Sequence, residues 1–183
     1  MLDTAGQVRE HWTWPPTLPP DAAWRVLPAG ETTAPAIGRL ADSILAFRFT
    51  GRSAPDGAAA QTLLSAFAPN QLAPLWIGLS GPRQVLTASI GPEPGRSPHT
   101  WHGPALPAGQ PFDIRLLLHP GMGPGDVLYR LAEDAAWSSL AAASPWGAER
   151  LDWPSHCSVG QGQRGPNDRP FRGASLRVSA ALA

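Results

Sequence analysis

Phe112-Asp113-Ile114-Arg115-Leu116-Leu117-Leu118-His119 is the segment that decides the fold. Its even positions, Phe112, Ile114, Leu116 and Leu118, are all apolar; its odd positions are Asp113, Arg115, Leu117 and His119. Successive side chains of an extended chain point to opposite sides, so the segment reads as a strand with one dry and one largely polar face. A dry face has to be covered by a second layer. Neighbouring segments carry the same period of two. In Ser43 to Thr50, Leu45, Phe47 and Phe49 share one side, and Arg48 and Thr50 lie on the other. Near the C-terminus Leu176, Val178 and Ala180 face inward, and Ser175, Arg177 and Ser179 face out. Gln61 to Phe67 is a further strand. Leu75 to Leu79 and Gln84 to Ile90 flank Ser80-Gly81-Pro82-Arg83, which reads as a hairpin with a four-residue turn.

The punctuation agrees. The 183 residues include 22 prolines and 19 glycines, which break helices and join short strands through turns. The expected architecture is all-β: a two-sheet antiparallel sandwich over residues 21–183, its two dry faces stacked about 10 Å apart. Residues 1–20 stand apart as an arm. There Trp12 and Trp14 sit beside Pro15, Pro16, Pro19 and Pro20, an extended composition that either plugs the edge of its own domain or docks on a protein partner or second copy. Residues 91–111, containing His99-Thr100-Trp101-His102, read as loop. The Ala-rich stretch Glu133 to Ala143 reads as the one short helix.

Charge narrows the function classes. Fourteen basic residues, all arginine, balance fourteen acidic ones, and charged residues are only 15% of the chain. Zero net charge without a basic run argues against binding to nucleic acid or to an anionic membrane surface. No apolar run is long enough for a membrane-spanning helix. The single Cys157 excludes an internal disulfide framework and a cysteine zinc site. Met1 to Gln7 has neither the basic nor the apolar region of a signal peptide, so synthesis in the cytoplasm is expected, and any work outside the cell would follow some other route of exit.

Three segments, in order, resemble the laminin-G and concanavalin A-like lectin (jelly-roll) superfamily. The first is Ile44 to Phe49 followed by Gln61 to Ser65. The second is Leu106-Pro107-Ala108-Gly109-Gln110-Pro111-Phe112, similar to the Gly-Gln loop that leads into the family's central hydrophobic strand. The third is Val159-Gly160 followed by Pro170-Phe171-Arg172-Gly173-Ala174-Ser175-Leu176-Arg177-Val178, similar to the family's closing element. The resemblance implies a jelly-roll sandwich whose relatives bind glycans or proteins and less often cleave polysaccharides. It also implies calcium at the sandwich rim in some relatives; here Asp56, Asn167 and Asp168 are the oxygen donors in loops that could meet there.

The search for chemistry returns few reactive constellations. Glycoside hydrolysis needs two carboxylates about 5–9.5 Å apart, and no strand shows acid-x-acid spacing. Glu133 and Asp134 are adjacent and would point apart, and Glu149 and Asp152 lie near a loop. His99 and His102 lack further metal donors nearby, and neither a nucleophile elbow nor a phosphate loop occurs. Lyase chemistry needs a base and a cation. If 112–119 pairs with 127–131, Asp113, Arg115, His119 and Tyr129 could share a polar groove suited to an anionic or hydroxylated ligand. The alternative is a solvated outer face.

Tryptophan is the compositional anomaly, with eight residues against five phenylalanines and one tyrosine. Exposed indoles stack on sugars and partner surfaces, and buried ones fill cores. Trp24 and Trp76 lie in strand-like surroundings and are assigned to the core. Trp101, Trp137, Trp146 and Trp153 lie in loop-like stretches and are the candidates for a binding rim. The sequence therefore predicts a non-catalytic domain that binds a glycan or polysaccharide or serves in assembly, with no cofactor beyond a calcium ion. A lectin-like fold made in the cytoplasm suits a virion or virion-like component that meets host surface polysaccharide. A polysaccharide lyase and a purely structural interaction domain are the alternatives.

Overall fold

The computed structural model describes residues 17–18, 20–33, 45–56, 59–67, 75–90, 99–118, 127–132, 135–142, 156–162 and 168–182. Among these the helical content is one 3-10 turn, Asp21–Ala23. Everything else regular is strand: β1 (Arg25–Leu27), β2 (Gly30–Thr33), β3 (Leu45–Arg52), β4 (Gln61–Phe67), β5 (Leu75–Ser80), β6 (Val85–Ile90), β7 (His99–Ala105), β8 (Pro111–Leu118), β9 (Leu128–Leu131), β10 (Ser138–Ser139), β11 (Ala141–Ala142), β12 (His156–Val159) and β13 (Ala174–Leu182). Two antiparallel sheets result. One has six strands in the order β1-β13-β3-β8-β9-β10, the other seven in the order β11-β7-β6-β5-β4-β12-β2. This is the two-sheet antiparallel sandwich that the period-two pattern predicts, in the jelly-roll form that the resemblance implies.

The alternation sets the layers. Leu45, Phe47 and Phe49 of β3, Ile114, Leu116 and Leu118 of β8, and Val178 and Ala180 of β13 turn inward and are buried. They meet Leu63, Leu64, Ile77, Leu79, Leu86 and Ala88 of the other sheet in one continuous core. The Phe47 and Phe49 rings lie 5.8 Å apart within it. Burying one such side chain contributes roughly 1.5–3 kcal/mol, which is what presses the sheets together. At one end, buried Gln84 ties the β5–β6 turn to the loop after β3. Its side chain accepts from the Ala54 amide at 3.1 Å and donates to the Ala54 carbonyl at 3.0 Å. The Ser53 hydroxyl meets the Pro107 and Gln110 carbonyls of the Gly-Gln loop there.

Two local expectations are corrected. Residues 99–105 form a strand, β7, rather than loop, because β6 offers them a ladder to pair with. The expected helix from Glu133 to Ala143 is replaced, in its described part, by the two-residue strands β10 and β11, which pair with β9 and β7 at the edges of different sheets. Leu140, between them, is buried in the core and its amide donates to the Val127 carbonyl at 2.8 Å. Edge pairing and one buried leucine outweigh the helical preference of alanine, which amounts to a few tenths of a kcal/mol per residue.

Candidate functional site

With the dry faces stacked, chemistry is left to the outer faces. On the six-stranded sheet the register brings side chains from five strands into one row. Val26 of β1 pairs with Ser179 of β13, Ser179 with Arg48 of β3, Arg48 with Arg115 of β8, and Arg115 with Arg130 of β9. The next row holds Arg177, Thr50 and Asp113. A β-bulge between Ala174 and Arg177, with Ser175 at φ 55°, sets the register that puts Arg177 beside Thr50.

Three arginines directly opposed across strands repel one another. Asp113 offsets part of this: Arg48 donates to it through Nε at 3.2 Å and Nη2 at 2.8 Å, a bidentate pair about one-third exposed on each side. Asp21 lies 4.0 Å from Arg48 Nη1 and is mostly exposed. Arg130 lies over the Trp137 ring, 4.9 Å from its centroid. Arg115 is buried at 3% exposure, whereas Arg177 is exposed. Among the described residues this face therefore gathers Arg48, Arg115, Arg130 and Arg177 around two carboxylates, and Arg52, further along β3, donates to the Gly109 carbonyl at 2.7 Å.

Apolar contacts frame the row. Ala46, Leu117 and Leu128 form a small buried cluster on this same outer face, and Leu18, Trp24 and Trp137 pack against it, half-buried. Between Trp24 and the arginines opens a cavity of about 320 Å³, its floor and walls made by Arg48, Thr50, Arg177 and Ser179, with Asp21, Trp24 and Val26 on the β1 side. A charged, hydroxyl-bearing floor beside an indole wall suits a polar ring with one apolar side.

The sequence-derived residues scatter differently from expectation. Asp113 and Arg115 share this outer face, as expected. Tyr129 does not join them: it pairs with Leu116 and packs against the core, because the β8–β9 register sets Arg130, not Tyr129, beside Arg115. A shift of one residue in register exchanges faces, and it takes the tyrosine base of the lyase constellation away from its cation. His119 lies outside the described residues. Trp101 is 2% exposed and part of the core, so it is no rim residue; on β7 it points between the sheets. Trp24 and Trp76, assigned from sequence to the core, are instead half-buried on outer faces. Trp12, Trp14, Trp146, Trp153 and Asn167 lie outside the described residues. Asp56 is exposed in the bend after β3, and Asp168 sits against Gly162, whose amide donates to the Asp168 carbonyl at 2.6 Å. Among the described residues no three His, Cys, Asp or Glu side chains converge as a metal set. Arg130 and Trp24 are site residues that sequence reasoning missed. Arg48 and Arg177 were legible as outward-facing, but the strand order that makes them neighbours was not.

No protein-family model matches the chain. No curated protein matches it either. Solved structures do. The carbohydrate-binding module (CBM40) of a Ruminococcus gnavus sialidase, bound to α2,3-sialyllactose, superposes with a TM-score of 0.54 at 11% identity over 76% of this chain and 75% of that one. The same module bound to α2,6-sialyllactose gives 0.51 at 13% identity, covering 82% and 90%. A botulinum neurotoxin type C chain, described as interacting with two ganglioside molecules, gives 0.51 at 7% identity and matches 83% of this chain but only 34% of its own length. These likenesses show the fold: a two-sheet antiparallel jelly-roll sandwich.

Proposed function

We propose that this domain is a non-catalytic glycan-binding module, and that it holds an acidic sugar on the outer face of the six-stranded sheet. The observation that carries the reading is the cross-strand row Arg48–Arg115–Arg130 with Arg177 alongside. Such a row costs stability through like-charge repulsion, and a carboxylate seated between the guanidinium groups offsets that cost. Exposed Arg177 and part-exposed Arg48 supply the direct contacts; buried Arg115 contributes field rather than touch. Trp24 gives the sugar ring an apolar wall, and Thr50 and Ser179 offer hydroxyls. The fold it shares with a module bound to sialyllactose supports the same class of ligand.

Binding to immobilised acidic and neutral oligosaccharides tests the reading. Acidic sugars are expected to be retained, more strongly at low salt. Arg177→Ala and Trp24→Ala should release them. Retention that is independent of both side chains, or equal for neutral and acidic sugars, would overturn it. The lyase alternative would need a base other than Tyr129, which packs against the core.

A further inference from the structure

We infer that the opposite face of the sandwich carries a second sugar platform, built on Trp76, for a neutral pyranose ring. The inference rests on the glycan-binding reading only for the class of ligand; the residues and the sheet are different. Trp76 is assigned to the core on sequence grounds, yet its side chain stands on the outer face of β5 and is half-buried. Its indole lies flat along the sheet rather than upright. The ring passes over Gly78, where any Cβ would collide with its six-membered ring, so only glycine lets it lie down. The indole Nε1 donates to the Thr62 hydroxyl of β4 at 3.0 Å, which fixes the ring in its plane. An aromatic held flat at its base and bonded at its edge loses little conformational freedom when a ligand stacks on it.

The surroundings supply what a neutral sugar needs. The exposed Arg169 guanidinium lies over the Trp76 ring, 5.9 Å from its centroid, on a residue held at φ 48°. Its backbone carbonyl accepts the Thr62 amide at 2.8 Å, so the segment carrying Arg169 is anchored to the strand that anchors the indole. On the other flank, Gly78 pairs with Thr87, and Thr87 with exposed His102, whose Nδ1 lies 3.3 Å from the Thr87 hydroxyl. At roughly 4.8 Å between strands, these groups stand about 5 and 10 Å from Gly78. A pyranose C–H face fits the indole beside Arg169, whose guanidinium its rim hydroxyls reach, and His102, about 10 Å from Gly78, meets the next ring of an oligosaccharide. With one cation and no opposing carboxylate in this set, the platform lacks the arginine row of the other face. Stacking and hydrogen bonds to hydroxyls, rather than ion pairing, hold the ligand.

The test uses the full chain and the indole N–H signals in a nitrogen–proton correlation spectrum. The Trp76 signal is assigned by its loss in Trp76→Phe. The probes are unsubstituted neutral hexasaccharides of glucose, mannose, xylose and galactose. At least one is expected to shift the Trp76 signal, equally in the native protein and in the Arg177→Ala variant. Arg169→Ala, at an exposed site whose backbone bond is kept, should weaken that binding several-fold without altering the thermal midpoint. A Trp76 signal unmoved by all four probes would overturn the proposal. So would a shift that disappears in Arg177→Ala, because the sugar would then reside on the other sheet. Loss of acidic-sugar binding with the Trp76 shift retained would count against the six-stranded face alone.

Discussion

The two sheets share one dry interior but turn different faces outward. The six-stranded sheet shows an arginine row, a bidentate Arg48–Asp113 pair and two half-buried indoles. The seven-stranded sheet shows small polar side chains, with Thr62, Ser65 and Thr87 all sunk to 3% exposure or less, and one indole laid over a glycine. The contrast teaches where specificity resides in such a sandwich. The inward positions are interchangeable apolar groups that fix the shape. The outward positions, read across strands rather than along them, decide whether a face meets its ligand by charge or by stacking.

Substitutions separate what the faces share from what each does alone. The largest effect is expected at the shared interior. Phe47→Ala removes a fully buried ring and should cost about 3–5 kcal/mol in a denaturant titration, impairing both faces together. Gly78→Val comes next. The added side chain meets the Trp76 ring and the Gln61 carbonyl, so a loss of about 1–3 kcal/mol is expected. It should displace the Trp76 indole signal and leave acidic-sugar binding at full affinity in whatever fraction remains folded. Arg177→Ala inverts that pattern. Stability should change by less than ~0.5 kcal/mol, while affinity for an acidic oligosaccharide falls ~10-fold or more, the worth of one charge-assisted hydrogen bond. Asp113→Asn is smaller again. The Arg48 pair is about one-third exposed, so solvent screening limits its loss to about 1 kcal/mol or less.

The smallest effect belongs to neither face. Burial pushes the Cys157 thiol up from its ordinary value. The folded state then holds this proton more tightly than the unfolded chain, so stability is unaffected below the ordinary thiol range. It declines as pH rises through that range, until the folded thiol itself ionises. Native Cys157 should resist a thiol reagent at mildly alkaline pH and react at once on unfolding. Prompt reaction in the native protein would contradict its place in the core.

The fold was legible because period-two alternation survives without knowledge of partners. Leu45, Phe47 and Phe49, and Ile114, Leu116 and Leu118, each declare a dry side by themselves. The site was only half legible. That Arg48, Arg115 and Arg177 face outward follows from the same alternation. That they are neighbours depends on β3 lying between β13 and β8, a long-range pairing that local sequence does not encode. Tyr129 shows the cost of a one-residue uncertainty in register. The tryptophans were misassigned for a related reason. A strand position has two sides, and Trp76 lies outside the core because Leu75, Ile77 and Leu79 take the inward side of β5, while Gly78 gives its ring a bed on the outer face. Trp101 was placed in a loop because the Pro- and Gly-rich flanks of β7 hid the ladder it joins.

One calorimetric comparison tests the central claim most directly: the native protein titrated at low salt with an acidic oligosaccharide and with its methyl ester, in which a methyl group caps the carboxylate and removes its charge. The account predicts that the acid binds, that the ester binds at least ~10-fold more weakly, and that Arg177→Ala removes the difference. Equal affinity for acid and ester, or a difference that survives Arg177→Ala, would contradict it.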